Sequence, residues 1–255
     1  MTGASSGIGR ELADLLAADG HEMVLVARGE ERLKATAADL EARHGARAHV
    51  VAVDLARPDA PAVIGDEVER LGLSIDPLIN NAGFSVYGPF AKTDLGAERD
   101  LIAVNVTAVT ALAKRFLPGM VARGEGRILN VASTAAFQPG PRMAVYYASK
   151  AYVLSFSIAL SVEMEGTGVT VTALCPGPSP TGFAERAGAV RTPLFRAEWF
   201  SMDPRAVARA GYEGMRRGDR IVVPGAIQKA HDLATRLVPR SFAARFVGRI
   251  QAPTA

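Results

Sequence analysis

The chain has 255 residues, 49% of them hydrophobic and 22% charged, with a net charge of +3; this excludes a disordered chain and suits one α/β domain around a continuous core. Cys175 is the only cysteine, so no intrachain disulfide can form and a reducing, cytoplasmic setting is expected. The four histidines (His21, His44, His49, His231) show no metal-ligand spacing, so no metal is expected, and no apolar run approaches a bilayer span or forms a signal peptide within residues 1–20.

In chain order, the apolar spacing predicts a helix over 8–19 that turns Leu12, Leu15 and Leu16 inward and stops at Gly20. A short apolar strand over 23–26 follows, then a helix over 30–44 ending at Gly45. The pattern repeats with a strand at 50–53, a helix at about 61–71 and a strand at 77–80 that runs into Asn81-Ala82-Gly83. A long helix is expected over about 95–121, a strand at 127–131, the helix that carries Tyr146 and Lys150, and a strand at 169–174. Fully apolar short strands alternating with amphipathic helices indicate a parallel sheet covered on both faces. No repeat or linker divides the chain, so residues 1–255 are expected to form one domain.

Gly3, Gly7 and Gly9 stand as G-x-x-x-G-x-G where a helix opens. Glycine tolerates the positive φ of a tight turn and lets backbone N–H groups approach a pyrophosphate, which the positive end of the helix also favours. The spacing departs from the G-x-G-x-x-G dinucleotide fingerprint. NAD sites place Asp or Glu about twenty residues further on, against the ribose 2′-hydroxyl. Here the strand ends in Ala27-Arg28, and a guanidinium there suits the 2′-phosphate of NADP(H). The bland alternative is that Arg28 pairs with Glu30 or Glu31. Asp54, at the tip of the next strand, can accept the adenine amino group or cap the following helix.

Tyr146 and Lys150 are four apart and share a helix face, and Ser133 lies thirteen residues upstream of Tyr146. A free tyrosine titrates near ~10, too high for proton transfer at neutral pH, and a neighbouring ammonium would lower it. Ser133, at a strand tip, could hydrogen-bond a substrate oxygen. Tyr147, three residues from Lys150, competes with Tyr146 for the role.

Together these segments resemble the short-chain dehydrogenase/reductase family from Thr2 to about Gly225. The ordered matches are Thr2-Gly3-x-x-x-Gly7-x-Gly9, Asp54, Asn80-Asn81-Ala82-Gly83, Asn105, Ser133, Tyr146-x-x-x-Lys150 and Pro176-Gly177-x-x-x-Thr181. The overall pattern is most similar to the DltE-like bacterial reductases within it. The resemblance implies a doubly wound, Rossmann-type parallel sheet with helices on both faces and substrate above the carboxyl ends of the strands. It implies a catalytic set of Asn105, Ser133, Tyr146 and Lys150, with Tyr146 favoured over Tyr147 and Asn105 holding a relay water behind Lys150. NADP(H) would be bound by Gly3, Ser5, Ser6, Gly7, Ile8, Gly9, Arg28, Asp54, Leu55, Asn81, Ala82 and Gly83. Tyr146, Lys150, Pro176, Gly177, Ser179 and Thr181 would complete the cofactor site. The implied reaction is hydride transfer between NADP(H) and a carbonyl or alcohol, in a homodimer or homotetramer. The alternative is a catalytically silent dinucleotide-binding sensor or scaffold.

Two departures from the family pattern stand out. The turn carries Ser5-Ser6 where some NADP enzymes place a basic residue, so Arg28 with the Ser5 hydroxyl would have to hold the 2′-phosphate. Only Met1 precedes Thr2, so the first strand looks truncated and about five to ten further residues upstream are expected. Around the pocket, Phe84, Phe137, Phe183, Leu194, Phe195, Trp199 and Phe200 suggest an apolar carbonyl substrate beneath a lid over about 178–203.

The helical segment at about 226–250 is basic. Residues 204–255 hold ten Lys/Arg against Glu213, Asp219 and Asp232, a net +7 that leaves −4 for the rest of the chain. Such a segment could meet an anionic membrane or an acidic partner. No nucleic-acid motif accompanies it, and the interspersed Leu233, Leu237, Val238, Phe242, Phe246 and Val247 read as a packed helix with a solvated face.

Overall fold

The computed structural model describes residues 1–180, 182, 192 and 201–252. Thr181 and the lid residues Phe183, Leu194, Phe195, Trp199 and Phe200 lie outside these residues. Six strands are described: β1 (Met23–Ala27), β2 (Ala48–Ala52), β3 (Leu78–Asn80), β4 (Gly126–Val131), β5 (Val169–Leu174) and β6 (Ile221–Val222). All pairings are parallel, with β1 beside β2 and a second run in the order β3-β4-β5-β6. Residues 1–3 lie between the two runs. Met1 O accepts from Val26 N–H at 2.9 Å, Gly3 N–H donates to Val26 O at 2.8 Å, and Thr2 N–H donates to Ile79 O at 2.9 Å.

Helices cover both faces, as the alternation requires. They are α1 (Gly7–Ala18), α2 (Glu30–His44), α3 (Ala60–Arg70), α4 (Leu95–Ile102), α5 (Ala108–Arg123), α6 (Ala144–Glu163), α7 (Pro204–Arg217), α8 (Ala226–Leu237) and α9 (Arg240–Ile250). Successive strand residues point to opposite faces, so neighbours enter different cores. Leu25, Ile79 and Leu129 pack with Leu12 and Leu16 of α1 and with Val207 and Met215 of α7. Val24, Val26, Leu78 and Ile128 pack with Ile64 of α3 and with Leu112 and Met120 of α5. The α2 helix stops where expected, because Gly45 takes the left-handed conformation at φ 67° and returns its N–H to Glu41 O.

The long helix expected over 95–121 is present as a continuous run from Leu95 to Arg123, with α4 and α5 joined by an unforeseen π-helical turn, Ala103–Thr107. One residue more than an α-turn is accommodated there, and Asn105 sits within it. The membrane expectation needs correction. Leu95–Arg123 and Ala144–Glu163 are each long and apolar enough to cross a bilayer by length and composition. Their inner faces pack against the sheet, Leu112, Met120 and Leu160 among them.

The C-terminal helices depart most from expectation. Val247 is buried, but Leu233, Leu237, Phe242 and Phe246 are exposed, so the apolar spacing does not mark a wholly packed surface. Periodicity identifies one apolar face; it does not say what that face meets.

Candidate active site

The strand tips converge on a cavity of about 650 Å³. At one end lies the glycine-rich turn. Gly3 and Gly7 take positive φ, 67° and 54°, and the Ser6 side chain makes no capping bond to α1. Asn81 braces the turn: its Nδ2 donates to Thr2 O at 3.2 Å and Gly3 O at 3.0 Å, while Thr2 Oγ1 accepts from Asn81 and Ala82 N–H. Gly3, Ser5, Ser6, Gly7 and Ile8 line the cavity; Gly9 does not. A Cβ on Gly9 would fall 2.1 Å from Gly3 O, so Gly9 lies beneath the turn and lets α1 approach it.

At the tips of β1 and β2 the cavity is lined by Arg28, Asp54 and Leu55. Arg28 does not pair with Glu30 or Glu31. Its nearest acid is Asp54, at 3.9 Å, and Lys34 takes Glu30 and Glu31 instead. Asp54 also accepts Ala56 N–H at 3.0 Å. Arg32, in the first turn of α2, lines the same wall, and no short sequence motif marks it. Two guanidinium groups at this end give the donor chemistry a 2′-phosphate requires.

The catalytic candidates meet at the other end. Ser133 caps a 3₁₀ turn, Thr134–Phe137, by accepting Ala135 N–H at 3.1 Å. It also hydrogen-bonds Tyr146, and burial pushes that phenol up to about 12. Lys150 Nζ lies 5.9 Å from the Tyr146 ring centroid and donates to Val131 O at 2.8 Å. Burial lowers its ammonium to about 8. The expected lowering of the tyrosine by Lys150 is therefore not met: desolvation of a buried phenol outweighs the help it receives from Ser133. Tyr147 also lines the cavity, but its hydroxyl is engaged by another group. Its hydroxyl accepts from Gln251 Nε2 at 2.6 Å, and burial raises its titration as well.

Asn105 is buried and does not line the cavity. Its Nδ2 donates to Phe84 O at 3.0 Å and Ser149 Oγ at 3.1 Å, and its Oδ1 accepts Phe84 N–H at 3.1 Å. A Cβ on Gly83 would meet Asn105 Oδ1 at 3.1 Å and Lys150 Nζ at 3.4 Å. Asn105 thus clamps the loop after β3 close to the lysine. A glycine-rich turn, a Ser–Tyr contact and a buried lysine on one cavity match a single architecture, and the short chain dehydrogenase family model matches residues 1–191. The chain belongs to the short-chain dehydrogenase family.

A protein of Streptomyces coelicolor provisionally named a ketoacyl reductase is 40% identical to this dehydrogenase over 180 residues, which cover 69% of this chain and 68% of that one. The very-long-chain 3-oxoacyl-CoA reductase of Mycosarcoma maydis is 39% identical over 177 residues, 68% of this chain but only 51% of that protein. The chain therefore spans about half the length of some of the curated relatives it matches. A solved short-chain dehydrogenase from Sphingobium yanoikuyae in complex with NADPH superposes with a TM-score of 0.82 at 34% identity, covering 92% of each chain. The dehydrogenase shares its fold with these enzymes and is an oxidoreductase that binds a nicotinamide dinucleotide.

The remaining predicted residues divide clearly. Asn81, Ala82, Gly83, Pro176, Gly177 and Ser179 line the cavity with Ser133, Tyr146 and Lys150. Of the expected pocket aromatics, Phe84 lines it, whereas Phe137 packs beside Val153, Ala173 and Cys175. The sequence reading missed the wall supplied by α9: Phe246, Val247 and Ile250 line the cavity with Met143 and Tyr147. Gln251, fully buried, fastens that wall. Its carbonyl accepts from Tyr87 Oη at 2.5 Å and its amide donates to Tyr147. No short motif announces contacts made 164 and 104 residues apart.

Proposed function

We propose that this dehydrogenase is an NADP(H)-dependent reductase of apolar ketones or aldehydes. The observation that carries the reading is the Ser133–Tyr146–Lys150 grouping at one end of a cavity whose other end holds Arg28 and Arg32. The NADPH complex of the Sphingobium yanoikuyae relative supports the choice of cofactor. When bound, NADPH supplies the hydride for the carbonyl carbon.

The protein's own part is proton delivery, orientation and exclusion of water. A phenol held up to about 12 is protonated at neutral pH, so Tyr146 Oη can donate to the oxygen that gains charge as the carbonyl is reduced. Ser133 Oγ holds that oxygen in place beside it. Lys150, protonated below about 8, steadies the phenolate that remains. Asn105 keeps the Phe84 loop and Lys150 in register. The roles of Pro176, Gly177, Ser179 and Thr181 at the nicotinamide end remain part of the same proposal.

The carbonyl end is lined by Phe84, Met143, Tyr147, Phe246, Val247 and Ile250, which favours an aryl or long-chain substrate. The ketoacyl and 3-oxoacyl-CoA reductase names of two relatives agree with a carbonyl on an extended acyl chain. An exposed apolar groove of about 490 Å³, lined by Phe90, Ile102, Val106, Ala148 and Tyr152 between the α4–α5 and α6 helices, supports a homo-oligomer. One cysteine, buried, suits the reducing cytoplasm.

The test is steady-state loss of NADPH absorbance over a panel of carbonyl compounds. Aryl and long-chain ketones or aldehydes should be turned over with higher kcat/KM than small charged keto acids. The reverse order would remove the substrate proposal, and absence of turnover over the whole panel would count against the reductase.

A further inference from the structure

The α8 helix is built inside out. Four of its polar side chains face the protein: Gln228 is buried against Gly177, and His231, Asp232 and Thr235 are half-buried. Its apolar side chains face outward, with Ile227 at 47%, Leu233 at 61% and Leu237 at 80% exposure. On α9, which follows two residues later, Phe242 and Phe246 are also more than half exposed. A soluble helix normally buries its apolar stripe, and a contiguous exposed stripe marks a contact surface.

The cations tell what kind of surface. Lys229, Arg240, Arg245 and Arg249 are exposed on the same two helices, and neither helix exposes a carboxylate among the described residues. Large apolar side chains interleaved with Lys and Arg are the composition of helices that lie in the headgroup region of a bilayer. A second copy fits poorly, because a two-fold contact sets this patch on itself and brings cation against cation. Phe246 belongs both to the outer patch and to the cavity wall, so the catalytic cavity opens beside the patch.

We propose that α8 and α9 dock the dehydrogenase peripherally on an anionic lipid surface, with the cavity mouth at the headgroup boundary. Leu233, Leu237 and Phe242 enter the acyl boundary, and Lys229, Arg240 and Arg245 meet lipid phosphates. The docking is independent of which carbonyl the enzyme reduces.

Sedimentation of the full-length protein with phosphatidylglycerol/phosphatidylcholine vesicles tests this. Binding should be strong with phosphatidylglycerol present and at least about ten-fold weaker on phosphatidylcholine alone or in high salt. Two double variants, Leu237→Ser with Phe242→Ser and Arg240→Glu with Arg245→Glu, should each weaken it by roughly ten-fold or more. Both should keep the cooperative melt and NADPH affinity of the parent, since none of the four side chains lines the cavity. Failure to bind anionic vesicles would overturn the proposal, as would binding that survives both variants. So would equal binding to soluble polyglutamate that ignores Leu237→Ser, because charge alone would then explain it. Self-association in sedimentation velocity, lost in the apolar variant while vesicles do not bind, would assign the face to a second copy instead.

Discussion

Tyr146 and Lys150 carry opposite shifts with one cause. Burial disfavours the charged form of each, raising the phenol to about 12 and lowering the ammonium to about 8. Two pH effects of opposite sign follow for Lys150. Carbonyl reduction should fall as pH rises through about 8, because the ammonium that supports the phenolate is lost. Stability should move the other way: the fold holds fewer protons at Lys150 than the unfolded chain does between about 8 and 10.5, so its contribution improves as pH rises through that window. Comparing melts of the parent and Lys150→Met from pH 7 to 10 checks this, and parallel curves would show that the lysine is not the group responsible. At the cofactor end, Arg28→Ala should erode the preference for NADPH over NADH by roughly 1–3 kcal/mol, the scale of a lost charge-assisted hydrogen bond. Arg28→Ala with Arg32→Ala should abolish it, as measured by quenching titrations with both cofactors. Equal affinities in the unmutated enzyme would refute the NADP assignment. The residues of this site were legible where one short motif holds both the turn and the chemistry, as at Gly3–Gly9 and Tyr146–Lys150. Arg32 was harder to see, because its meaning depends on Arg28 already standing at a strand tip.

Among the elements, the π-turn between α4 and α5 links local structure to the site. Asn105 satisfies both backbone groups of Phe84 and also reaches Ser149 on α6. Asn105→Ala would leave buried polar groups without partners, at about 1–3 kcal/mol, and release the loop that adjoins Lys150. A lower Tm together with weakened turnover is expected, and a variant with unchanged Tm would mean that the clamp contributes nothing. A second polar chain fixes α6 to the sheet: Asn80 Nδ2 donates to Asn130 Oδ1, and Asn130 Nδ2 to Ser157 Oγ, each at 2.9 Å. Gln251 performs a similar task for α9. Gln251→Ala should raise KM for bulky apolar carbonyls several-fold more than for acetone-sized ones, since the α9 wall touches only the larger substrate. The helix and strand order was readable because period 2 and period 3.6 are both local properties. The π-turn and the α9 wall were not, because each is fixed by partners far away in the chain.

For the whole molecule, the same apolar periodicity serves three different contacts. On α1 and α5 it meets the sheet, beside Tyr152 it leaves a groove, and on α8 it faces outward. Sequence patterning placed the α1 face inward, as the structure has it, but gave no sign of the groove beside Tyr152 or of the outward face of α8. Tyr152→Asp, on the rim of the α4–α6 groove, should shift the enzyme toward monomer in light scattering without loss of fold. An unchanged mass would detach that groove from oligomerisation. The separation of charge, +7 at residues 204–255 against −4 elsewhere, was legible at once; that it accompanies an outward apolar face was not.

The account depends above all on Tyr146 as the proton donor to a carbonyl reduced by NADPH. The most direct measurement is single-turnover decay of bound NADPH absorbance in the parent, Tyr146→Phe and Tyr147→Phe enzymes, with NADPH affinity measured alongside. Decay should vanish in Tyr146→Phe while NADPH still binds, and should persist in Tyr147→Phe with altered substrate KM. Rapid decay in Tyr146→Phe, or its loss only in Tyr147→Phe, would contradict the account.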